Sequence, residues 1–172
     1  MLAAAQAPCY IRVDNTGRWL LAAYYSDGMV TVHAIGPDGI AGDRVQRLET
    51  APKAHYIQTD ASNRFAFVPH VGDENAIWQF RFDEETGQLS PNDSSKASPG
   101  AGQGPRHLCF HPDGHVAFSN GEQGSSVTRW SFDSDAGTLA AQQTVSTLPA
   151  DWTGDNTCSQ INIRPDGGTV YS

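Results

Sequence analysis

The chain repeats itself four times, and this repetition restricts its possible folds more than any other feature of the sequence. Four tight turns with similar surroundings are each anchored by a glycine or asparagine, the residues that tolerate a positive φ. The anchors are Gly17, Asn63, Gly114 and Gly167, at intervals of 46, 51 and 53 residues. Repeats of this length are typical of units that must stack on their neighbours to bury a core.

Alternating strands flank each turn, and a third strand follows in each of the first three repeats. The alternation is strongest in these third strands, Val30–Ile35, Ala76–Phe82 and Ser126–Phe132, and a weaker fourth strand follows them. A period of two predicts β-structure. Four-stranded units at this spacing predict an all-β fold, a β-propeller of antiparallel blades. A β-sandwich with similar turns is the alternative.

The predicted blades cover residues 8–50, 54–97, 105–148 and 157–172, and together they make one propeller domain over residues 1–172. The fourth blade is incomplete after its second strand. Propellers close with about four to eight blades, so three and a half blades would leave unpaired strand edges. We therefore expect the chain to be part of a longer protein. Self-assembly of half-propellers is the less favoured alternative.

Composition excludes several classes of partner. The net charge is −8, from 11 Lys and Arg against 19 Asp and Glu, and no basic cluster exists to neutralise phosphates. No apolar run is long enough to span a membrane, so we expect neither nucleic acid nor membrane as a partner. We expect a cytoplasmic location, with a secreted precursor as the alternative. Cys9, Cys109 and Cys158 lack the spacing of a zinc site or disulfide framework and are expected to be reduced core thiols.

The repeat register brings candidate catalytic residues to one end of the predicted channel. The residues eight positions before the four anchors are Cys9, His55, Arg106 and Ser159, and the residue eight positions after Gly114 is Glu122. Positions equally far from a hairpin turn face each other. We therefore expect Arg106 and Glu122 to face each other, with His55 one blade away. A cation, a carboxylate and an imidazole at a polar opening can perform acid–base chemistry on an anionic substrate.

Each of these residues also has a structural interpretation. Arg106 and Glu122 could form an ion pair that locks the hairpin, and His55 could be a hydrogen-bonded structural histidine. His107 and His70 are closer to the opening than the other histidines and are candidates for substrate binding. No HxH or HExxH spacing indicates a metal. The turn aspartates are best explained as turn formers; these are Asp14, Asp60, Asp113 and Asp166.

One segment resembles a known family. Residues 104–114 read GPRHLCFHPDG and resemble the GPRHxxFHPxG segment of the propeller-type lactonases, which include the seven-bladed 6-phosphogluconolactonases and the carboxy-muconate cyclases. Residues 120–127, NGEQGSSV, resemble the family's N-E-x-x-S-x-V continuation with an additional glycine. His55 and the segments after it, and residues 156–167, resemble the neighbouring blades. The resemblance covers nearly the whole chain.

The resemblance implies a lactone hydrolase that converts 6-phosphogluconolactone to 6-phosphogluconate in the pentose phosphate pathway without a cofactor. It assigns the catalytic positions to His55, Arg106 and Glu122. Arg106 would stabilise the oxyanion or hold the anionic group of the substrate. Either Glu122 or His55 would activate water, and the sequence leaves this choice open. From their positions in the repeats, and not from the resemblance, His107, His70 and Ser159 are expected to contact the substrate.

Two alternatives to lactone hydrolysis remain at this point. One is a cyclase that runs lactone chemistry in reverse on an unsaturated acid, and the other is a non-catalytic binding scaffold. The family usually carries a further arginine in an S-N-R-G segment, at a position that would follow Ser172. We therefore expect the 172-residue chain to be nearly inactive by itself. The oligomeric state is not predicted.

Overall fold

The computed structural model describes residues 7–172, and this part of the chain folds into four antiparallel sheets. The first sheet consists of β1 (Tyr10–Val13), β2 (Trp19–Tyr24), β3 (Met29–Ile35) and β4 (Ala41–Glu49). The second consists of β5 (Gln58–Thr59), β6 (Phe65–His70), β7 (Ala76–Asp83) and β8 (Gln88–Ala97). The third consists of β9 (Pro105–Phe110), β10 (Val116–Gly121), β11 (Ser126–Asp133) and β12 (Thr138–Ser146), and the fourth of β13 (Asn162–Ile163) and β14 (Val170–Tyr171).

The strands of every sheet follow one another in chain order, as a meander. Each of the first three sheets therefore has the topology of a propeller blade, and the prediction of an all-β propeller architecture is confirmed. No helix within residues 7–172 is long and apolar enough to cross a membrane.

The four turn anchors have the conformation that the sequence predicted. The φ angles are +75° at Gly17, +60° at Asn63, +76° at Gly114 and +76° at Gly167. In each turn the N–H of the anchor donates to the carbonyl three residues earlier. The turn aspartates accept backbone N–H groups, so their assignment as turn formers is confirmed; the donors are Thr16 and Arg18 for Asp14, Ser62 and Phe65 for Asp60, His115 for Asp113 and Gly168 for Asp166.

The core lies between the blades, not inside any one of them. One buried cluster joins the first and second sheets and includes Leu21, Val32 and Val68. Another joins the second and third sheets and includes Phe67 and Trp130. Successive side chains of β6 point alternately toward the first and the third sheet, and all six residues are buried. The second blade is therefore fixed on both faces, which holds three innermost strands side by side.

The three cysteines are free, but the expectation that all are core thiols is wrong. Cys158 is buried, Cys109 is half-buried and Cys9 is exposed. Cys9 precedes β1, where its thiol donates to the carbonyl of Ala54 at 3.3 Å. Its position beside the second blade follows from the stacking of the blades, which amino-acid type alone does not predict.

Candidate active site

Arg106 and Glu122 meet through their side chains, but their backbones are not directly opposite each other as the register predicted. Arg106 Nε donates to Glu122 Oε2 at 2.9 Å. The backbone N–H of Glu122 instead donates to the carbonyl of Gly104 at 2.8 Å. The predicted contact is therefore confirmed, whereas the assumed backbone pairing is wrong by two residues at this point.

A β-bulge explains one residue of this difference. The other is already present before the bulge, because Leu108 lies six residues before Gly114 and its partner Ser119 lies five residues after it. Along this hairpin Leu108 pairs with Ser119, whereas the next pair is Pro105 with Gly121. Between these pairs β9 contains two residues and β10 contains one. An extra residue on one strand shifts the register and re-aims the side chains at that point. Bulges of this kind depend on the pairing of two strands and leave no mark in the alternation of either strand.

The two residues of the bulge are Arg106 and His107, and the residue opposite them is Asn120. The Oδ1 atom of Asn120 accepts the backbone N–H of His107 at 3.0 Å, which compensates for the interrupted ladder. Arg106 Nη1 lies 3.2 Å from His107 Nε2. Because arginine can only donate, His107 Nε2 must be the acceptor and the ring proton must reside on Nδ1. His107 therefore helps to orient the guanidinium.

Glu122 is held by two hydrogen bonds and lies close to His55. Its Oε2 atom accepts from Arg106 and lies 3.9 Å from His55 Nε2, while its Oε1 atom accepts from Gln123 Nε2 at 3.1 Å. Gln123 Oε1 in turn accepts the N–H of Gly72 at 3.0 Å, a link to the second blade. The side chains of Arg106, Glu122 and His55 are only 19%, 20% and 12% exposed. Partial burial strengthens the electrostatic coupling between them.

His55 and His107 are both neutral near pH 7. Burial, followed by the charge of Arg106, lowers the pKa of His55. The same two causes, with a further contribution from His55, lower the pKa of His107 to about 4. The two rings lie edge to face, with centroids 5.4 Å apart. Nδ1 of His55 is buried and makes no hydrogen bond with the described residues.

Arg106, Glu122, His55 and His107 form one group, which we call the Arg106 cluster. The remaining predicted residues divide into those beside this cluster and one that is separate from it. Arg106 Nη1 donates to the backbone carbonyl of Ser159, so Ser159 takes part through its main chain. Cys9 Sγ lies 3.6 Å from the carbonyl of His55. His70 is fully buried, and its ring nitrogens bond to Val68 O at 2.9 Å and Thr50 Oγ1 at 3.1 Å. None of these bonds connects His70 to the cluster.

Sequence reasoning missed the parts played by Asn120 and Gln123. Both flank Glu122 within the motif that carried the family resemblance, and this adjacency is the signal that could have identified them. Asn120 is completely buried, and its Nδ2 makes no hydrogen bond with residues 7–172. Within the same residues no group of three or more His, Cys, Asp or Glu side chains is arranged to hold a metal ion.

The arrangement can stabilise negative charge and accept a proton at one place. Arg106 supplies a permanent cation, and its hydrogen bonds with the described residues engage Nε and Nη1 but not Nη2. Two N–H groups thus remain to receive a developing oxyanion. The neutral ring of His55 can accept a proton, and Glu122 is close enough to stabilise the resulting imidazolium.

Comparison with known proteins agrees with this architecture. Residues 2–172 match the family described as lactonase, 7-bladed beta-propeller. A 6-phosphogluconolactonase from Pectobacterium carotovorum is 34% identical over 165 residues, which make up 96% of this chain and 49% of that protein. The corresponding protein from Yersinia pestis is 32% identical, with the same coverage. The chain therefore spans about half the length of the curated relatives it matches.

Solved structures show the same similarity. A protein from Lactobacillus plantarum superimposes with a TM-score of 0.88 at 29% identity, over 98% of this chain and 51% of that chain. A periplasmic gluconolactonase from Pseudomonas aeruginosa superimposes with a TM-score of 0.85 at 25% identity, over 96% of this chain and 49% of that chain.

Proposed function

The chain belongs to the lactonase family of seven-bladed β-propellers, and from that premise we propose that the whole protein hydrolyses a sugar-acid lactone, 6-phosphogluconolactone, to 6-phosphogluconate. The observation that carries the proposal is the half-buried Arg106–Glu122 pair beside the neutral ring of His55. The relatives named 6-phosphogluconolactonase support the choice of substrate. No step of this hydrolysis requires a cofactor.

We assign stabilisation of the oxyanion to Arg106. Attack of water on the lactone carbonyl turns the carbonyl oxygen into an oxyanion, which needs preorganised donors. The remaining N–H groups on Nη2 can supply them, because the guanidinium is already fixed by Glu122, His107 and the carbonyl of Ser159. A donor fixed in this way does not have to reorganise as charge develops.

We assign the general base to His55. Its lowered pKa keeps the ring unprotonated at neutral pH, so it can remove a proton from the attacking water. The bond between the carbonyl carbon and the ring oxygen then breaks, and the imidazolium returns the proton to that oxygen. Glu122, 3.9 Å away, stabilises the imidazolium between these steps. His107 is a poorer base, since its Nε2 lone pair already accepts from Arg106.

The compartment follows from the substrate. A phosphorylated lactone is a charged metabolite of the cytoplasm, and the three cysteines of the chain are unpaired, as is usual there. We propose a cytoplasmic location on these two grounds.

The test is lactone hydrolysis by the whole protein, measured above the spontaneous rate. Arg106→Ala should lower kcat/KM by about 10²–10³, the usual cost of removing an oxyanion donor. The matched control is His111→Ala, because His111 lies beside the turn at the opposite end of the innermost strand. We expect it to retain activity within about twofold, because its side chain pairs with Asp113 at the turn and contacts none of the proposed catalytic groups. Equal losses in the two variants at equal stability would contradict the assignment.

A further inference from the structure

A second polar region lies inside the channel, adjacent to the Arg106 cluster. It is a cavity of about 230 Å³, lined by residues of the innermost strand of each of the first three sheets and by residues 160–163. The residues five positions before the four turn anchors all contribute to this lining. We call them the polar ring; they are Arg12, Gln58, Cys109 and Asn162.

The polar ring combines one positive charge with neutral groups. The lining contains no acidic side chain, and Arg12 is its charged residue. Burial raises the pKa of the Cys109 thiol to about 12, and burial likewise raises the pKa of the Tyr56 hydroxyl, so both groups are neutral. Arg12 is exposed toward the cavity, and no ion pair among residues 7–172 involves it. An unpaired guanidinium in a cavity without carboxylates attracts an anion.

Amide groups beside Arg12 are placed to donate to the same anion. The hydroxyl of Tyr56 donates to Gln58 Oε1, which fixes the orientation of the amide. The Nε2 group of Gln58 then has no acceptor among the described residues and remains available as a donor. Asn162 contributes a second amide from the fourth sheet. A guanidinium with two amides is a donor set suited to the several oxygens of a phosphate group.

The polar ring continues directly from the proposed reaction site. The ring of Tyr10 contacts both Tyr56 and His107, with centroid separations of 4.2 and 5.3 Å. Arg12 lies two residues beyond Tyr10 on β1, on the same side of the strand. The polar ring is three residues from the level of Cys9 and His55, or about 10 Å along an extended strand. A sugar acid held by its carbonyl at Arg106 would extend toward this ring.

We propose that the polar ring binds the phosphate group of the substrate, with Arg12 as its ionic contact; this inference rests on the proposed lactonase function. The charge of −8 on this chain opposes long-range attraction of an anion, which favours capture by a local cation. Arg12 contributes such a cation without taking part in the chemistry. It is therefore a residue that determines specificity between phosphorylated and unphosphorylated lactones.

Arg12→Gln in the whole protein, assayed with 6-phosphoglucono-δ-lactone and glucono-δ-lactone, tests the inference. We expect KM for the phosphorylated lactone to rise roughly 10- to 100-fold with kcat unchanged, which is the effect of losing one charged hydrogen bond. KM for the unphosphorylated lactone should stay within about twofold. Arg12→Lys should recover part of the loss. Arg44→Gln, an exposed substitution on the outer strand of the same blade, is the matched control and should change neither KM.

Two results would overturn the inference: an equal rise of KM for both lactones, or no change for either. If the wild-type protein hydrolyses neither lactone, the proposed function fails, and the subsite is then tested by binding alone. Titration of wild-type and Arg12→Gln proteins with inorganic phosphate should show at least a tenfold weaker affinity in the variant. Equal affinities, or no binding by wild type, would reject the phosphate subsite independently of catalysis.

Discussion

Replacing Glu122 with glutamine removes the negative charge beside His55 while keeping nearly the same shape. The amide oxygen can still accept from Arg106 Nε, so the guanidinium should stay in place. At the observed 3.9 Å separation, the attraction between Glu122 and a protonated His55 is about 1 kcal/mol in a water-like medium and about 4 kcal/mol at an effective dielectric constant of 20. The variant should therefore have a His55 with a still lower pKa.

The same energy sets the expected loss of activity. If the imidazolium of His55 forms in the transition state, losing about 1–4 kcal/mol of stabilisation lowers kcat roughly 5- to 10³-fold. The pKa is measured by NMR titration of the histidine Cε1–H signals, with His55→Gln identifying the signal of His55. Lactone hydrolysis is measured on the same samples between pH 5 and pH 8.

Glu85→Gln is the matched control, because Glu85 forms an exposed pair with Arg18 at 3.0 Å on the surface. It should change neither the titration of His55 nor kcat. The reasoning is refuted if Glu122→Gln leaves the pKa of His55 unchanged or raises it. A lowered pKa with full activity would show that the pair is coupled but that His55 is not the base.

Three further predictions concern stability and positioning. Gly137→Ala should lower the free energy of unfolding, measured in urea, by more than about 2 kcal/mol, because the new Cβ overlaps the Phe65 ring. Gly114→Ala has open space and should lose only about 1–2 kcal/mol, the strain of a positive φ. Equal losses in the two variants would contradict this prediction. Burial lowers the pKa of His70 to about 4, so this histidine stays neutral in the folded protein as the pH drops from 6.5 to 5. The same histidine becomes protonated in the unfolded chain over this range, so the free energy of unfolding should fall. This contribution is about 2 kcal/mol between pH 6.5 and pH 5, and His70→Gln should remove it from the measured pH dependence. Gln123→Ala removes the hydrogen bond to Glu122 and should reduce kcat several-fold and shift the pH–rate profile. Gln123→Glu should not restore activity, since a second carboxylate cannot donate to Glu122. An unchanged pH–rate profile in Gln123→Ala would show that the Gln123–Glu122 bond has no positioning role.

The sequence alone determined the blades, because their signals are local. Period-two alternation and a residue that tolerates positive φ act within a few positions of the chain, and both recur in every repeat. The anchors Gly17, Asn63 and Gly114 therefore predicted the turns, and counting from them brought His55 and Arg106 to one level.

Only the tertiary structure decided how the site is built. The bulge at Arg106 and His107 depends on the number of residues between paired positions on two strands, which neither strand specifies alone. The neutral state of His107 arises from burial by side chains of neighbouring blades and from the adjacent guanidinium. His70 has the same residue type and a similarly lowered pKa, yet it serves the core, because the pairing of its strand directs it toward Trp78. Alternation predicts which residues lie on a strand; the side chains that meet across blades are fixed by packing between segments distant in sequence.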